Sequence, residues 1–348
     1  MNSRAIPVIA SLLFVGALAT HPARADDVVI ADFGGLIQKM TSDVYIKPFG
    51  AENGINVTED TRDYGIGVVK AKIDGGSNLW DVVAIEDLEA LQGCEEGWLQ
   101  KLDWSKIAEK DALLPNSVKD CAVGKIVYNI VLTYSSKRTT NAPTSWADFW
   151  DTKKWPGKRS MEKNPRGQLE IALLADGVKP EDIYKVLSTP EGVDRAFAKL
   201  DELKPNIIWW AHPGLAREML MNGESVMGTS YDSGNNFVNM NENAGLQSVY
   251  SNPIISTDYW GIVAGAKHPE AAEKFLNYAS SAKKQAELAS KMAIGVTNTA
   301  SFSSIDPKVL SILPTNPDNI KTGVQSDPAF WLDHFDELNR RFSAWAGQ

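Results

Sequence analysis

From Val28 onward the chain repeatedly sets a short apolar run ahead of a segment of helical length, and few folds can use that rhythm. Val28–Phe33 is such a run, followed by Gly34-Gly35 and a helix-length stretch to about Asn53. Ile55–Asp60 and Trp80–Ile85 supply two more strands, separated by a helical segment over 65–74 and the Gly75-Gly76 break, with an acidic helix over 86–97 after them. Strands alternating with helices imply a parallel sheet whose ligand crevice lies beyond the strand carboxyl ends, where Phe33 and Glu86-Asp87 fall. Gly124–Ser135 reads as a crossing strand. A second α/β series then starts near Asn141-Ala142-Pro143, with Ser145 capping the helix Trp146–Trp150. It continues through the strand Lys158–Met161, helices over 167–176, 181–187 and 191–203, and strands Asn206–Trp210 and Ser225–Tyr231 flanking a helix over 214–221. Ser256–Ala266 returns to the first series, and a helix over 269–282 places Ala272, Phe275, Leu276 and Ala279 on one face. A last helix over 329–345, with Phe330, Trp331, Phe335, Leu338 and Phe342, is expected on the second unit. No solenoid repeat or low-complexity tract occurs.

The 348 residues, 43% apolar, suffice for two such units. Arg4, the apolar stretch Ile6–Ala19 and Ala23-Arg24-Ala25 match an export signal with cleavage before Asp26, the alternative being an uncleaved anchor. Nothing downstream is long and apolar enough for a membrane helix, so no membrane insertion is expected. The chain carries 35 basic and 44 acidic residues, a net −9, and loss of Arg4 and Arg24 takes it to −11. That balance excludes nucleic acid as a partner. Its two cysteines, Cys94 and Cys121, are expected to bridge in an oxidising compartment, free buried thiols being the alternative. His212, His268 and His334 are scattered and no metal-ligand spacing occurs, so neither metal nor cofactor is expected.

Several stretches occur in a recognisable order: residues 47–57 (KPFGAENGINV), 70–76 (KAKIDGG) followed by 80–83 (WDVV), 96–103 (EGWLQKLD), 144–150 (TSWADFW), 221–224 (MNGE), 264–272 (AGAKHPEAA) and 295–298 (GVTN). Together they resemble the spermidine/putrescine-binding family of extracellular solute-binding proteins of ABC importers, over most of the chain. The resemblance implies an α/β, two-lobed periplasmic binding protein, each lobe a mixed sheet flanked by helices, with a ligand cleft closing by a hinge. Residues 26–134 and 257–303 are expected to form one lobe, and 135–256 with 304–348 the other, with crossings near Ser135 and Ile255.

The family holds an organic cation between aromatic rings with a carboxylate on its ammonium. Carried over position by position, Tyr231 falls at an aromatic wall and Asp258 at the principal ammonium-binding carboxylate; the competing readings are a core tyrosine and a solvated turn aspartate. Tyr259, beside Asp258, and the cleft-edge acid Asp87, otherwise a helix cap, join the set. Phe33 stands where the family has an aromatic pair, or else is a core residue behind a glycine turn. Of Trp209 and Trp210, consecutive on a strand, only one can face the cleft, and Trp210 is favoured. Two departures matter: Ser256 replaces an aromatic residue, and Asn164 and Gly167 replace the acids that hold a distal amine. Arg166, between them, would suit a carboxylate if it points inward, and is otherwise an exposed arginine. The set predicts a monomeric, non-catalytic, periplasmic capturer of a short polyamine or an ω-amino acid such as γ-aminobutyrate, delivering it to ABC permease subunits. The alternatives are a secreted amine-processing hydrolase, for which no nucleophile elbow or zinc motif speaks, and a presenter to a chemosensory receptor.

Overall fold

The computed structural model describes residues 27–65, 67–76 and 79–347; the expected signal segment and its cleavage point lie outside them. Its strands are β1 (Asp27–Asp32), β2 (Asn56–Thr61), β3 (Val82–Ile85), β4 (Ala122–Ser135), β5 (Arg159–Glu162), β6 (Ile207–Trp210), β7 (Met227–Tyr231), β8 (Leu246–Ile262) and β9 (Val324–Gln325). They run in the order β2-β1-β3-β8-β4-β7-β5-β6, with β9 on β8. β1 pairs in parallel with β2 and β3, and β5 in parallel with β6 and β7. The fully apolar, fully buried β3, Val-Val-Ala-Ile, is what a strand covered on both faces requires.

The two long antiparallel strands between these halves, β4 and β8, belong to both. The Ile262 end of β8 pairs with β3, and the Leu246 end with residues Leu132–Ser135 of β4, whose own second half pairs with β7. Their register slips between Ile130 and Leu132, where β8 carries three additional residues around Asn252 (φ 53°) and Pro253. A slip of this kind bends a strand and concentrates twist where the two halves join.

Each half has its own core. Val28, Ile30, Val82, Trp260, Phe275 and Leu276 anchor one, and the opposite face of that sheet packs Trp80, Val83, Ile85, Leu99 and Tyr259. Phe149, Leu169, Leu173, Phe197 and Leu200 anchor the other, joined by Phe330, Trp331, Leu338 and Phe342 of the helix Pro328–Ala346. Residues 305–313 instead pack on the helix Ala282–Met292 through Ile305 and Leu313. Cys94 and Cys121 form a disulfide, Cα–Cα 5.5 Å, tying the helix Asp87–Glu95 to the start of β4. Among the described residues no helix is long and apolar enough to cross a membrane.

Candidate functional site

A small cavity opens where the carboxyl ends of β3, β5 and β7 meet the middles of β4 and β8. Its walls carry Glu86, Tyr128, Glu162, Arg166, Tyr231 and Ser256, with Glu170, Ser326 and Trp331 at the side of the C-terminal helix.

Strand geometry places the acids. Glu162 is the last residue of β5; the Tyr231 hydroxyl at the end of β7 donates to its Oε2 at 2.9 Å, and burial pushes its carboxyl up to about 7. Glu86 follows β3 and caps the helix Asp87–Glu95 in a capping box with Glu89. Burial raises its carboxyl, Arg166 opposes that shift, and Asp87 reinforces it. Asp258 lies on β8, 5% exposed, and receives no hydrogen bond from the described residues. Burial and then the Glu86 charge hold its carboxyl well above the usual range, against the pull of Lys125.

Arg166 reaches the cavity through a backbone device. Asn164 caps the helix Pro165–Ala175, its Oδ1 accepting from the Arg166 N–H at 3.1 Å, yet Arg166 is extended (ψ 132°) and Gly167 left-handed (φ 79°). A side chain at 167 would meet that conformation and would put its Cβ 2.5 Å from Ile130 Cδ1. The kink sends the guanidinium across the gap: Nη2 donates to Asp87 Oδ1 at 2.7 Å, and Nη1 lies 3.7 Å from Glu86 Oε1. Arg166 therefore faces inward and joins the β5 side of the cavity to the β3 side. Asp87 is buried beneath it, its Oδ2 without a hydrogen bond.

The aromatic candidates divide. Tyr231 is on the wall, edge-to-face with Tyr128 at 5.3 Å. Trp210 stands behind it, 5.9 Å from the Tyr231 ring and packed with Ala216 and Met219, so it backs the wall without reaching the cavity. Trp209 points the other way, onto Phe342 and Trp345. Tyr259, one residue from Asp258, projects from the opposite face of β8 into the core beside Trp80 and donates to the Asn116 carbonyl at 2.6 Å. Phe33 directly follows β1, buried, with Tyr64 stacked on it at 4.3 Å, outside the cavity proper. Glu162, Tyr128 and Glu170 were missed in the sequence. A glutamate closing a short strand looks like a solvated end, and only the alternation Ser160-Met161-Glu162 hints at its direction.

Two α/β halves that share a pair of strands, with acids, one guanidinium and tyrosine rings gathered at the strand ends between them, define a two-lobed solute-binding protein. Residues 44–315 match the family described as bacterial extracellular solute-binding protein, and the chain belongs to that family. It is 37% identical over 338 residues to the gamma-aminobutyric acid-binding protein of Pseudomonas aeruginosa, covering 97% of this chain and 96% of that one. It is 24% identical over 351 residues to the spermidine/putrescine-binding periplasmic protein of Escherichia coli, covering 96% and 97%. Among solved structures, the Atu4243–GABA receptor superposes with a TM-score of 0.83 at 33% identity, over 92% of this chain and 97% of that chain.

Proposed function

We propose that this chain is the periplasmic capture component of an ABC importer for γ-aminobutyrate or a closely similar short ω-amino acid, working without chemistry and handing its ligand to permease subunits. The observation that carries the reading is the charge pattern of the cavity. Buried Glu86 and Glu162 on its walls, with buried Asp258 behind the lining and within reach of the Glu86 charge, call for a cation, while the only guanidinium on its walls among the described residues, Arg166, offers a fork for a carboxylate. In this reading the ligand ammonium lies against Asp258 and Glu86, the Tyr231 and Tyr128 rings exclude water, and the ligand carboxylate competes for Arg166. The relatives that bind γ-aminobutyrate support the choice. Asp87, Arg166, Tyr231 and Asp258 are assigned to ligand binding, Phe33 to the aromatic cover, and Trp210 and Tyr259 to support. We place the lobe crossings at the middles of β4 and β8, near Asn129 and Ile255, where the shared pairing passes from one half to the other.

Titration calorimetry with γ-aminobutyrate, putrescine, spermidine and glycine betaine tests the proposal. Micromolar or tighter binding of γ-aminobutyrate, with the ligand recovered unchanged, is expected. If no amine or ω-amino acid binds, the reading fails.

A further inference from the structure

Beside Asp258 lies a second aromatic-lined carboxylate, and it is already occupied. Asp32, the last residue of β1, is fully buried; its Oδ2 accepts from Thr41 Oγ1 at 2.6 Å and its Oδ1 from the Phe33 N–H at 2.7 Å. The Lys125 ammonium pairs with the same Oδ1, with neither side chain exposed. Lys125 Nζ sits 4.4 Å from the centre of the Trp260 ring and 5.4 Å from that of Phe33, the arrangement that attracts an alkylammonium to ring faces. Trp260 is two residues from Asp258 on β8 and so projects from the same face, which puts the Lys125 charge next to the Asp258 carboxyl.

From this we infer that Lys125 is a specificity-determining residue: a built-in ammonium that fills the second cation position and thereby favours solutes with one ammonium over diamines. The inference rests on the proposed amine-capturing role of the cleft and adds to it the basis of selection. A solute with one ammonium needs only Asp258 and Glu86. The second ammonium of a diamine would meet Asp32 already neutralised and a like charge held in a site of low dielectric, where repulsion is strong. A purely structural Lys125–Asp32 pair would affect stability alone and leave the ratio of affinities untouched.

The experiment titrates γ-aminobutyrate, putrescine and 1,5-diaminopentane into the wild-type chain, Lys125→Met, and the charge-balanced double variant Asp32→Asn/Lys125→Met, each first shown to be folded by its thermal transition. The wild type is expected to prefer γ-aminobutyrate. In Lys125→Met the unpaired Asp32 carboxylate should raise diamine affinity relative to γ-aminobutyrate by about tenfold or more. The double variant, in which repulsion and carboxylate are both gone, should show a smaller rise. It keeps the test open should the single variant not fold. A wild type that binds γ-aminobutyrate, with variants whose diamine ratio does not move, overturns the role of Lys125 and leaves the proposed function standing. A wild type that binds no amine or ω-amino acid overturns both.

Discussion

Asp258 is a costly residue for a fold to keep: a carboxyl removed from water, facing the charge of Glu86, and without a hydrogen bond from the described residues. Such a group is retained where a cation comes to it. Asp258→Asn keeps the shape and removes the charge, so ammonium affinity should fall by more than about tenfold in calorimetry; an unchanged affinity would take Asp258 out of the site. Glu162 adds a pH signature. Burial lifts its carboxyl to about 7 from an ordinary 4.5, so the folded state holds a proton that the unfolded chain has lost across that window. Stability of the ligand-free protein should therefore decline as pH rises from 4.5 to 7, while amine affinity climbs over the same range as the site ionises. Thermal transitions of wild type and Glu162→Gln across this range check it, with a shallower slope expected for the variant. The resemblance singled out Asp258, and its burial on β8 was legible because an acid inside an apolar run is hard to place in solvent. Lys125 was not, since a lysine in a strand reads as a solvated edge until its partner Asp32, 93 positions away, is known.

The elements that position these groups are short turns and one covalent tie. Gly167 has a left-handed backbone and no room for a Cβ beside Ile130, so Gly167→Ala should cost about 1–3 kcal/mol in urea unfolding and weaken ligand binding by displacing Arg166. The disulfide holds the helix whose N-terminal cap and first residue are Glu86 and Asp87. Replacing both cysteines with alanine removes a closure of 27 residues and should cost about 3–4 kcal/mol, seen as a lower denaturation midpoint. Apolar periodicity made most strands and the helix Pro269–Ala279 readable, with Ala272, Phe275, Leu276 and Ala279 all buried as expected. It failed where polarity hid the element. The helix Asp232–Glu242 is largely polar, and buries Asp232, Asn235 and Asn236 through hydrogen bonds to Asn129, Thr133 and the Ala293 carbonyl. The helix Ala282–Met292 buries Lys284 and Gln285 along with its apolar side chains. β8 starts at Leu246, ten residues before Ser256, because its polar first half still pairs with Leu132–Ser135.

At the scale of the molecule, the two-lobed plan and a crossing strand over 124–135 were readable from the double α/β series, but the pairing of β4 with β8 was not, because pairing between distant strands leaves no local mark. Arg166 is the link across the gap, and Arg166→Ala should let the ligand-free lobes separate. Small-angle scattering should then show a larger radius of gyration than for the wild type, and an equal radius would deny the link. That link also decides what uptake of a zwitterion costs. Since the guanidinium already has Asp87 for company, an arriving acid group trades places with a resident one, and the tally of opposite-sign neighbours stays nearly level. The net heat of that exchange should be small and its dependence on ionic strength shallow, leaving the ammonium end to supply most of the affinity.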